Sequence, residues 1–193
     1  MAHNNIEIEI QVNIEKSQAL LDFLKFNGIF QGENHQLDEY FSPVTNDFLA
    51  VRPVKEWLRL RDSNGKNSIN YKNWYFDEFG KSNHCDEFET KIDNIDQVRK
   101  ILVALDFKSI AIVDKNRKIW TYHDYEIAID SVKNLGDFVE IEYIGKDEKV
   151  DPKKVTDEMI SFLLKLDCGK ITRNHVGYPF LILFPQEVKY DIL

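Results

Sequence analysis

Cysteine is scarce in this chain: only Cys85 and Cys168 occur among its 193 residues. Two thiols so far apart in sequence supply neither the clustered ligand spacing of a zinc site nor a disulfide framework. We therefore expect both cysteines to be reduced.

Long apolar runs are absent as well. No stretch approaches the roughly 20 apolar residues that a membrane-spanning helix needs. The first five residues, MAHNN, contain neither the basic region nor the apolar core of a signal peptide. We expect a protein that has no membrane partner and resides in the cytoplasm.

The chain also lacks an excess of positive charge, since 33 acidic residues against 25 basic ones give a formal net charge of −8. Nonspecific nucleic-acid binding needs a basic surface, so the net charge argues against that class of function. A small phosphorylated ligand stays open, and acids concentrated in one place would suit a divalent metal. No Walker loop or dinucleotide fingerprint is present, so the usual glycine-rich phosphate loop is not in use.

What the chain does have is the composition of a folded domain, with 43% hydrophobic, 12% aromatic and 30% charged residues. Its length fits one domain over residues 1–193. Apolar periodicity predicts helices at residues 17–28, 93–106 and 151–169. Residues 44–53 are predicted to be a loop that can fold over an opening, and the conformation of residues 170–193 is left open.

Strict alternation of apolar and polar residues in the segment IEIEIQV, residues 6–12, predicts a β-strand whose polar face carries carboxylates. Paired charges on one face recur in four later strands. The five sets are Glu7 with Glu9; Arg59 with Arg61; Glu87, Glu89 and Lys91; Lys115 with Arg117; and Glu140 with Glu142. A solvated outer face would explain one such strand but not five of about eight.

The helices must cover apolar surface, and the faces opposite the charges are the apolar ones. The charged faces are therefore predicted to point inward. We predict an α+β fold, with a closed antiparallel β-barrel around a polar lumen and helices packed outside. Charges in such a lumen must pair with one another or bind ions and ligand.

Clustered carboxylates suit Mg²⁺ or Mn²⁺, which prefer oxygen ligands. Clustered arginine and lysine side chains suit phosphate oxygens, arginine through its bidentate fork and lysine as a point charge. A lumen that holds both sets is what a polyphosphate with its metal would require.

The segment Glu7-Ile8-Glu9-Ile10-Gln11 resembles the E-x-E-x-K signature of the CYTH, or triphosphate tunnel metalloenzyme, superfamily. Later motifs of that superfamily are similar, in order, to Trp57-Leu58-Arg59-Leu60-Arg61, Lys72, Glu87 with Glu89, Lys115-Asn116-Arg117, Asp130 and residues 135–142. The resemblance runs from residue 6 to about 180. It implies an eight-stranded antiparallel tunnel, a divalent metal and a triphosphate substrate. The stretch Leu-Gly-x-Phe-Val-Glu-Ile-Glu is most similar to the class IV adenylate cyclase branch, with thiamine triphosphatases as relatives.

Carried over by position, the resemblance implies roles for individual residues. The metal would be held by Glu7, Glu9, Asp130, Glu140 and Glu142, with Glu87 and Glu89 nearby. The triphosphate would be bound by Arg59, Arg61, Lys72, Lys91, Lys115, Arg117 and Lys170. Catalytic roles fall on Gln11, Arg59, Lys115 and Arg117. Gln11 stands where the signature has lysine, and glutamine supplies neither a positive charge nor a titratable proton.

Three functions follow as hypotheses. A cyclase would convert ATP to cyclic AMP and pyrophosphate, whereas a hydrolase would use water to cleave thiamine triphosphate or inorganic triphosphate. The third is a noncatalytic triphosphate binder, which Gln11 motivates. The partner is a small triphosphate in each case, and a homodimer is left open.

Overall fold

The computed structural model describes residues 6–146 and 150–193 of the chain. Its strands are β1 (Ile6–Glu7), β2 (Glu9–Ile14), β3 (Ile29–Pro43), β4 (Glu56–Ser63), β5 (Lys66–Phe76), β6 (Ser82–Ile92), β7 (Phe107–Tyr122), β8 (Tyr125–Val132), β9 (Gly136–Tyr143), β10 (Ile171–Asn174) and β11 (Tyr190–Ile192). Its helices are α1 (Ser17–Asn27), α2 (Ile95–Ala104), α3 (Pro152–Leu164) and α4 (Tyr178–Leu183). Short 3₁₀ turns lie at Phe48–Ala50 and Pro185–Glu187.

All eleven described strands form one antiparallel sheet, in the order β1-β6-β5-β4-β3-β7-β8-β9-β2-β10-β11. The α+β class is confirmed. The closed eight-stranded barrel is not confirmed, because this hydrogen-bonded order is open and continues into β10 and β11. β1 pairs with β6, whereas β2, which begins two residues later, pairs with β9.

The strand faces divide as the alternation predicts. Ile10 and Val12 of β2 are buried in a core that also contains Leu24 of α1 and Met159 of α3. Glu9 and Gln11, which lie between them in sequence, line a central cavity instead. These two helices therefore pack on the apolar outer face of the sheet, as expected.

Two smaller clusters complete the core. Leu102 of α2 packs against Phe41 and Leu60 of β3 and β4. Tyr178 and Phe180 of α4 belong to the other cluster, which also includes Trp57 of β4, Val113 of β7 and Phe138 of β9. Because Tyr178 also lines the central cavity, α4 brings the end of the chain to that cavity.

The structure extends the predicted elements at several points. β3 begins at Ile29, well before the predicted strand at residue 36, because residues 29–35 pair with β7 although their sequence lacks clear alternation. Residues 44–53 hold only a short 3₁₀ turn, at which the Asp47 carboxylate accepts a hydrogen bond from Leu49 N. The open segment 170–193 forms β10, α4 and β11.

Both cysteines are free thiols, as predicted, and both are buried. No helix within residues 6–146 and 150–193 combines the length and the apolarity needed to cross a membrane.

Candidate functional site

The central cavity has a volume of about 320 Å³ and lies against the inner faces of strands β1 to β9. Charged side chains dominate its surface, and a short segment at the start of α4 closes one side. Its charged lining residues are Glu7, Glu9, Arg59, Arg61, Lys72, Glu87, Glu89, Lys115, Arg117, Glu126, Glu140 and Glu142. Two surface cavities elsewhere are larger, at about 590 and 560 Å³, but neither collects so many charges.

Strand register explains how distant parts of the sequence meet at this cavity. Glu9 of β2 lies opposite Glu142 of β9, which in turn lies opposite Glu126 of β8. We call these three residues the acid row. Every member of the five charged sets predicted from the alternation lines the cavity except Lys91, and Lys72 joins them.

One group of cations is anchored on β3 and β4. Asp38 is fully buried, and Arg61 donates two hydrogen bonds to its carboxylate at 2.6 and 2.7 Å, while Arg59 Nη1 lies 3.5 Å from Asp38 Oδ2. Burial alone would raise the pKa of Asp38, but the two guanidinium groups hold that pKa well below its usual range. Arg59 Nε has no hydrogen-bond partner among the described residues. We call Asp38, Arg59 and Arg61 the arginine wall.

A second group of cations is anchored on Asp130, which is also fully buried. Its carboxylate accepts hydrogen bonds from Lys115 Nζ at 3.0 Å, from Arg117 Nε at 2.7 Å and from the Tyr178 hydroxyl at 2.8 Å. Burial and the adjacent Arg117 lower the pKa of Lys115 to about 8. Asp130 was expected to bind metal, but its oxygens are already engaged and it does not line the cavity. Asp130 instead holds Lys115 and Arg117 in place through these hydrogen bonds.

The pKa values of the acid row are raised, in contrast to that of Asp38. Burial, followed by repulsion from Glu9, raises the pKa of Glu142 to about 7. Burial and the charge on Glu7 raise the pKa of Glu9, and burial raises that of Glu126. None of the three forms an ion pair with an arginine in the described part of the chain, so their negative charge is poorly compensated.

Lys72 contacts the carboxylates at this end of the cavity directly. Its Nζ lies 2.5 Å from Glu7 Oε2, 3.5 Å from Glu9 Oε2 and 3.7 Å from Glu87 Oε1. Burial alone would lower the pKa of Lys72, but these carboxylates raise it well above its usual value. One ammonium group therefore offsets part of the charge of several carboxylates.

The chemistry of this end fits a divalent cation. Seven carboxylates and five cationic side chains line the cavity, and hard carboxylate oxygens are the ligands that Mg²⁺ and Mn²⁺ prefer. In residues 6–146 and 150–193, however, no three acidic, histidine or cysteine side chains already converge as a metal site. Three of these carboxylates, those of Glu7, Glu9 and Glu87, lie within 4 Å of Lys72 Nζ instead.

Gln11 bridges two side chains at the cavity. Its Nε2 donates to Glu140 Oε1 at 2.9 Å, and its Oε1 accepts from Asn174 Nδ2 at 3.1 Å. Glu140 also accepts a hydrogen bond from Arg117 Nη2. Burial would raise the pKa of Glu140, but Arg117, Lys115 and Gln11 hold it well below its usual range. Glu140 is thus more fully compensated than the acid row.

Two predicted phosphate ligands are not brought to the cavity. Lys91 is exposed and lies opposite Ser68, beyond the part of β6 that faces the lumen. Lys170 is exposed just before β10, where its backbone N–H donates to Glu15. Strand alternation placed Lys91 on the inward face. Alternation does not indicate, however, at which residue the strand extends beyond the cavity.

The sequence reasoning missed other residues of the site. Asp38 shares a strand face with Gln36 and Tyr40, which line the cavity. Glu126 shares a strand face with Asp130, which supports the cavity's cations. The alternation could therefore have identified both residues. Tyr178 and Asn174 gave no such signal, because they come from the segment whose conformation was left open.

Comparison with known proteins gives consistent matches. The sequence model of the CYTH domain family matches residues 5–173. A protein of Methanocaldococcus jannaschii named a "putative adenylate cyclase" is 34% identical over 166 residues, which cover 86% of this chain and 91% of that protein. A solved structure from Pyrococcus horikoshii OT3 has a TM-score of 0.76 at 25% identity, with 92% of this chain and 98% of that chain covered. A Hippeastrum structure, described as a "putative adenylyl cyclase" with dominant triphosphatase activity, has a TM-score of 0.63 at 20% identity, with coverages of 93% and 95%.

Proposed function

The chain belongs to the CYTH domain family, and from the charges in its central cavity we propose that it is a metal-dependent enzyme that converts ATP to cyclic AMP and pyrophosphate. The observation that carries this proposal is the division of the cavity into anchored cations and poorly compensated carboxylates. A triphosphate needs the first set and its divalent metal needs the second. The volume of about 320 Å³ is at the lower end of the range for small-molecule sites.

The N-terminal segment pairs with two different strands at this site. Glu7 at the end of β1 lies opposite Cys85 of β6, and Glu9 at the start of β2 lies opposite Glu142 of β9. We propose that β1 and β2 act as one strand, interrupted at Ile8, that joins β9 back to β6. Together with β3 to β9 they would form an eight-stranded tunnel around the cavity.

The metal would be held by the acid row together with Glu7. These side chains offer oxygen ligands whose negative charge Lys72 offsets only in part, and Lys72 would release Glu7 or Glu9 as the cation enters. Bound Mg²⁺ or Mn²⁺ would polarise phosphoryl oxygens and stabilise the charge that develops on them.

The cations of the chain bind and orient the triphosphate. Arg59 makes one long contact with Asp38 and its Nε has no partner among the described residues, so much of its fork is free to bind phosphate. Lys115 and Arg117 are held from behind by Asp130 and supply charge that stabilises the leaving pyrophosphate. Gln11 fixes Glu140 and contributes a neutral hydrogen bond where the family signature has a charged lysine.

Two other functions use nearly the same residues. A triphosphatase would position water at the terminal phosphorus instead of a ribose hydroxyl at the α-phosphorus, and the fold likeness to the Hippeastrum protein is compatible with it. A noncatalytic binder would keep the phosphate contacts without turnover, as the neutral Gln11 allows. We favour the cyclase because the 34% identical relative bears that name and residues 135–142 are similar to that branch.

The test is to identify products. Purified protein is incubated separately with ATP, thiamine triphosphate and tripolyphosphate, each with Mg²⁺ or Mn²⁺, and the products are separated by chromatography. Cyclic AMP with pyrophosphate, formed from ATP only when metal is present, is the expected result.

A matched variant guards against a contaminating enzyme. Glu9→Gln preserves the shape of the side chain but removes the negative charge and one acceptor oxygen of a proposed metal ligand, so it should abolish most of the product. Orthophosphate with a diphosphate product would replace the cyclase with the triphosphatase. Tight binding of all three compounds without any product would leave the binder.

A further inference from the structure

A second cavity of about 560 Å³ lies outside the central one, where the start of α3 meets β6, β10 and the end of the chain. Arg173 of β10 lines it, and this side chain is only 5% exposed. Its neighbour Asn174 contacts Gln11 at the central cavity. Because adjacent strand residues point to opposite faces, Arg173 faces away from the proposed active site.

Arg173 has more donors than partners. A guanidinium carries five N–H groups, and within residues 6–146 and 150–193 the side chain makes one hydrogen bond, from Nη2 to Ser82 O at 3.3 Å. It forms no ion pair within 4.0 Å in that part of the chain, and its Nε is buried without a partner. Burial lowers the pKa of Arg173 to about 10, although the charges of Asp191 and Asp157 act in the opposite direction. A buried guanidinium in this state is costly unless a ligand completes it.

Other unpartnered polar atoms gather at the same place. Seven buried side-chain atoms in the described part of the chain have no hydrogen-bond partner. Two belong to Gln36 and Arg59 at the central cavity, and three belong to His84, Thr156 and Arg173 at this second cavity. The second cavity therefore resembles the central one in having buried polar atoms that lack a hydrogen-bond partner.

Four aspartates line this cavity together with Lys81, Lys153 and Arg173, but three of the four are engaged by other groups. Asp191 accepts from Lys81 and lies 3.2 Å from His175, and Asp151 caps α3 by accepting from Lys153 N, so these acids are already engaged. Asp77 accepts backbone hydrogen bonds from Phe79 and Lys81. Asp157 is the one lining acid without such a partner among the described residues, and it is exposed.

Positive potential comes from three sources. Arg173 lies at the buried floor, Lys153 lines the rim, and the first turn of α3 borders the cavity with the positive end of its helix dipole. Thr156, a residue that is 93% buried, adds a hydroxyl donor one turn into the helix. We propose that this cavity is a second ligand site that binds a small phosphate-bearing anion through Arg173, Thr156 and the start of α3.

The test follows Arg173 directly. In ¹⁵N–¹H spectra of the full chain, the Nε–Hε resonance of each arginine reports on its own surroundings, and Arg173 is assigned through its backbone. Inorganic phosphate is titrated into the wild type and into Arg59→Ala, which weakens binding at the central cavity. The expected result is a saturable shift of the Arg173 resonance that persists in Arg59→Ala.

A near-isosteric variant tests the site without removing the buried charge. Thr156→Val should weaken phosphate binding at Arg173 by about fivefold, the size expected for one lost hydrogen bond. Lys154→Met, on the same helix but 72% exposed at its side chain, is the matched control and should leave the affinity unchanged. A shift that stays linear up to about 50 mM phosphate, or that disappears in Arg59→Ala, would overturn the proposal.

Discussion

The arginine wall and the acid row face the same cavity, yet their carboxylates are in opposite states. Asp38 is fully buried and is held by two guanidinium groups, which keep its pKa low. Glu142 is also largely buried, but its nearest charged neighbour across the sheet is another carboxylate, and its pKa is raised to about 7. The fold supplies a counter-charge in contact with Asp38, whereas it supplies none in contact with Glu142 among the described residues.

This difference separates structural charges from ligand-binding ones. A buried charge with its own counter-charge loses stability when either partner is removed. A buried charge without one destabilises the fold until a proton or an external cation neutralises it. The variants below should therefore affect the two regions in opposite directions.

The largest effect is expected for Asp38→Asn. This change leaves Arg59 and Arg61 without their buried counter-charge, so the free energy of unfolding should fall by about 3 to 5 kcal/mol. Urea denaturation of the metal-free protein measures it. Glu142→Gln is the matched change in the acid row and should leave stability unchanged or higher. Equal losses in the two variants would remove the distinction between the regions.

The next effect separates the two arginines of the wall. Arg61 makes both short hydrogen bonds to Asp38, so its loss should act mainly on stability. Arg59 is held loosely, and Arg59→Ala should weaken binding of a nonhydrolysable ATP analogue by about 1.5 to 3 kcal/mol. Isothermal titration calorimetry measures the affinity.

Arg52→Ala serves as the control for that titration. Arg52 contacts Glu187 outside the central cavity, so the same substitution there should leave the affinity unchanged. An Arg59→Ala variant that binds as tightly as the wild type would mean that the arginine wall does not hold phosphate.

A smaller effect should appear in the pH dependence of stability. The pKa values of Glu142 and Glu9 are raised in the fold, so the native state keeps protons that the unfolded chain loses near pH 4.5. The metal-free protein should therefore be most stable near pH 5 and lose on the order of 1 to 2 kcal/mol by pH 8. Asp38, with its lowered pKa, acts in the other direction and costs stability only below about pH 4.

Glu142→Gln sharpens this pH comparison, because it removes one of the two titrating groups of the acid row. Its unfolding free energy should change less between pH 5 and 8 than that of the wild type, as measured by urea denaturation at each pH. A variant with the same slope as the wild type would show that Glu142 ionises normally.

The smallest effect is expected for Gln11→Lys. An ammonium group there would add charge beside Glu140, but it would leave Asn174 Nδ2 without its acceptor. We expect the rate of Mn²⁺-dependent cyclic AMP formation to rise a few-fold. That rise corresponds to a decrease of less than about 1.4 kcal/mol in the activation free energy. Gln11→Met removes the same hydrogen bonds without adding charge, and a rate for Gln11→Lys no higher than that of Gln11→Met would show that the charge does not matter.

Alternation in the sequence was sufficient to predict much of this arrangement. It separated Ile10 and Val12, which pack under the helices, from Glu9 and Gln11, which line the cavity. It also brought Arg59 and Lys115 to one lumen, because period 2 fixes the face of each residue whatever the strand order.

Partner choice could not be predicted in the same way. Asp130 and Glu142 both look like inward acids in sequence, but only Asp130 lies opposite Arg117 in the register and is also reached by Tyr178 from α4. Such pairing depends on which strands become neighbours and on the path of the last twenty residues, which no local pattern encodes. The same limit explains why Lys91 was wrongly placed at the cavity. Alternation indicated which face of the strand it lies on, but not that it lies beyond the cavity.

The most direct test of the account measures Mn²⁺ binding in the presence of tripolyphosphate. Electron paramagnetic resonance reports the free ion as protein is added. We expect tight binding by the wild type and by Lys91→Met, since Lys91 lies outside the cavity, and at least about tenfold weaker binding by Glu9→Gln/Glu142→Gln. If the double variant binds Mn²⁺ as tightly as the wild type, the acid row is not the metal site.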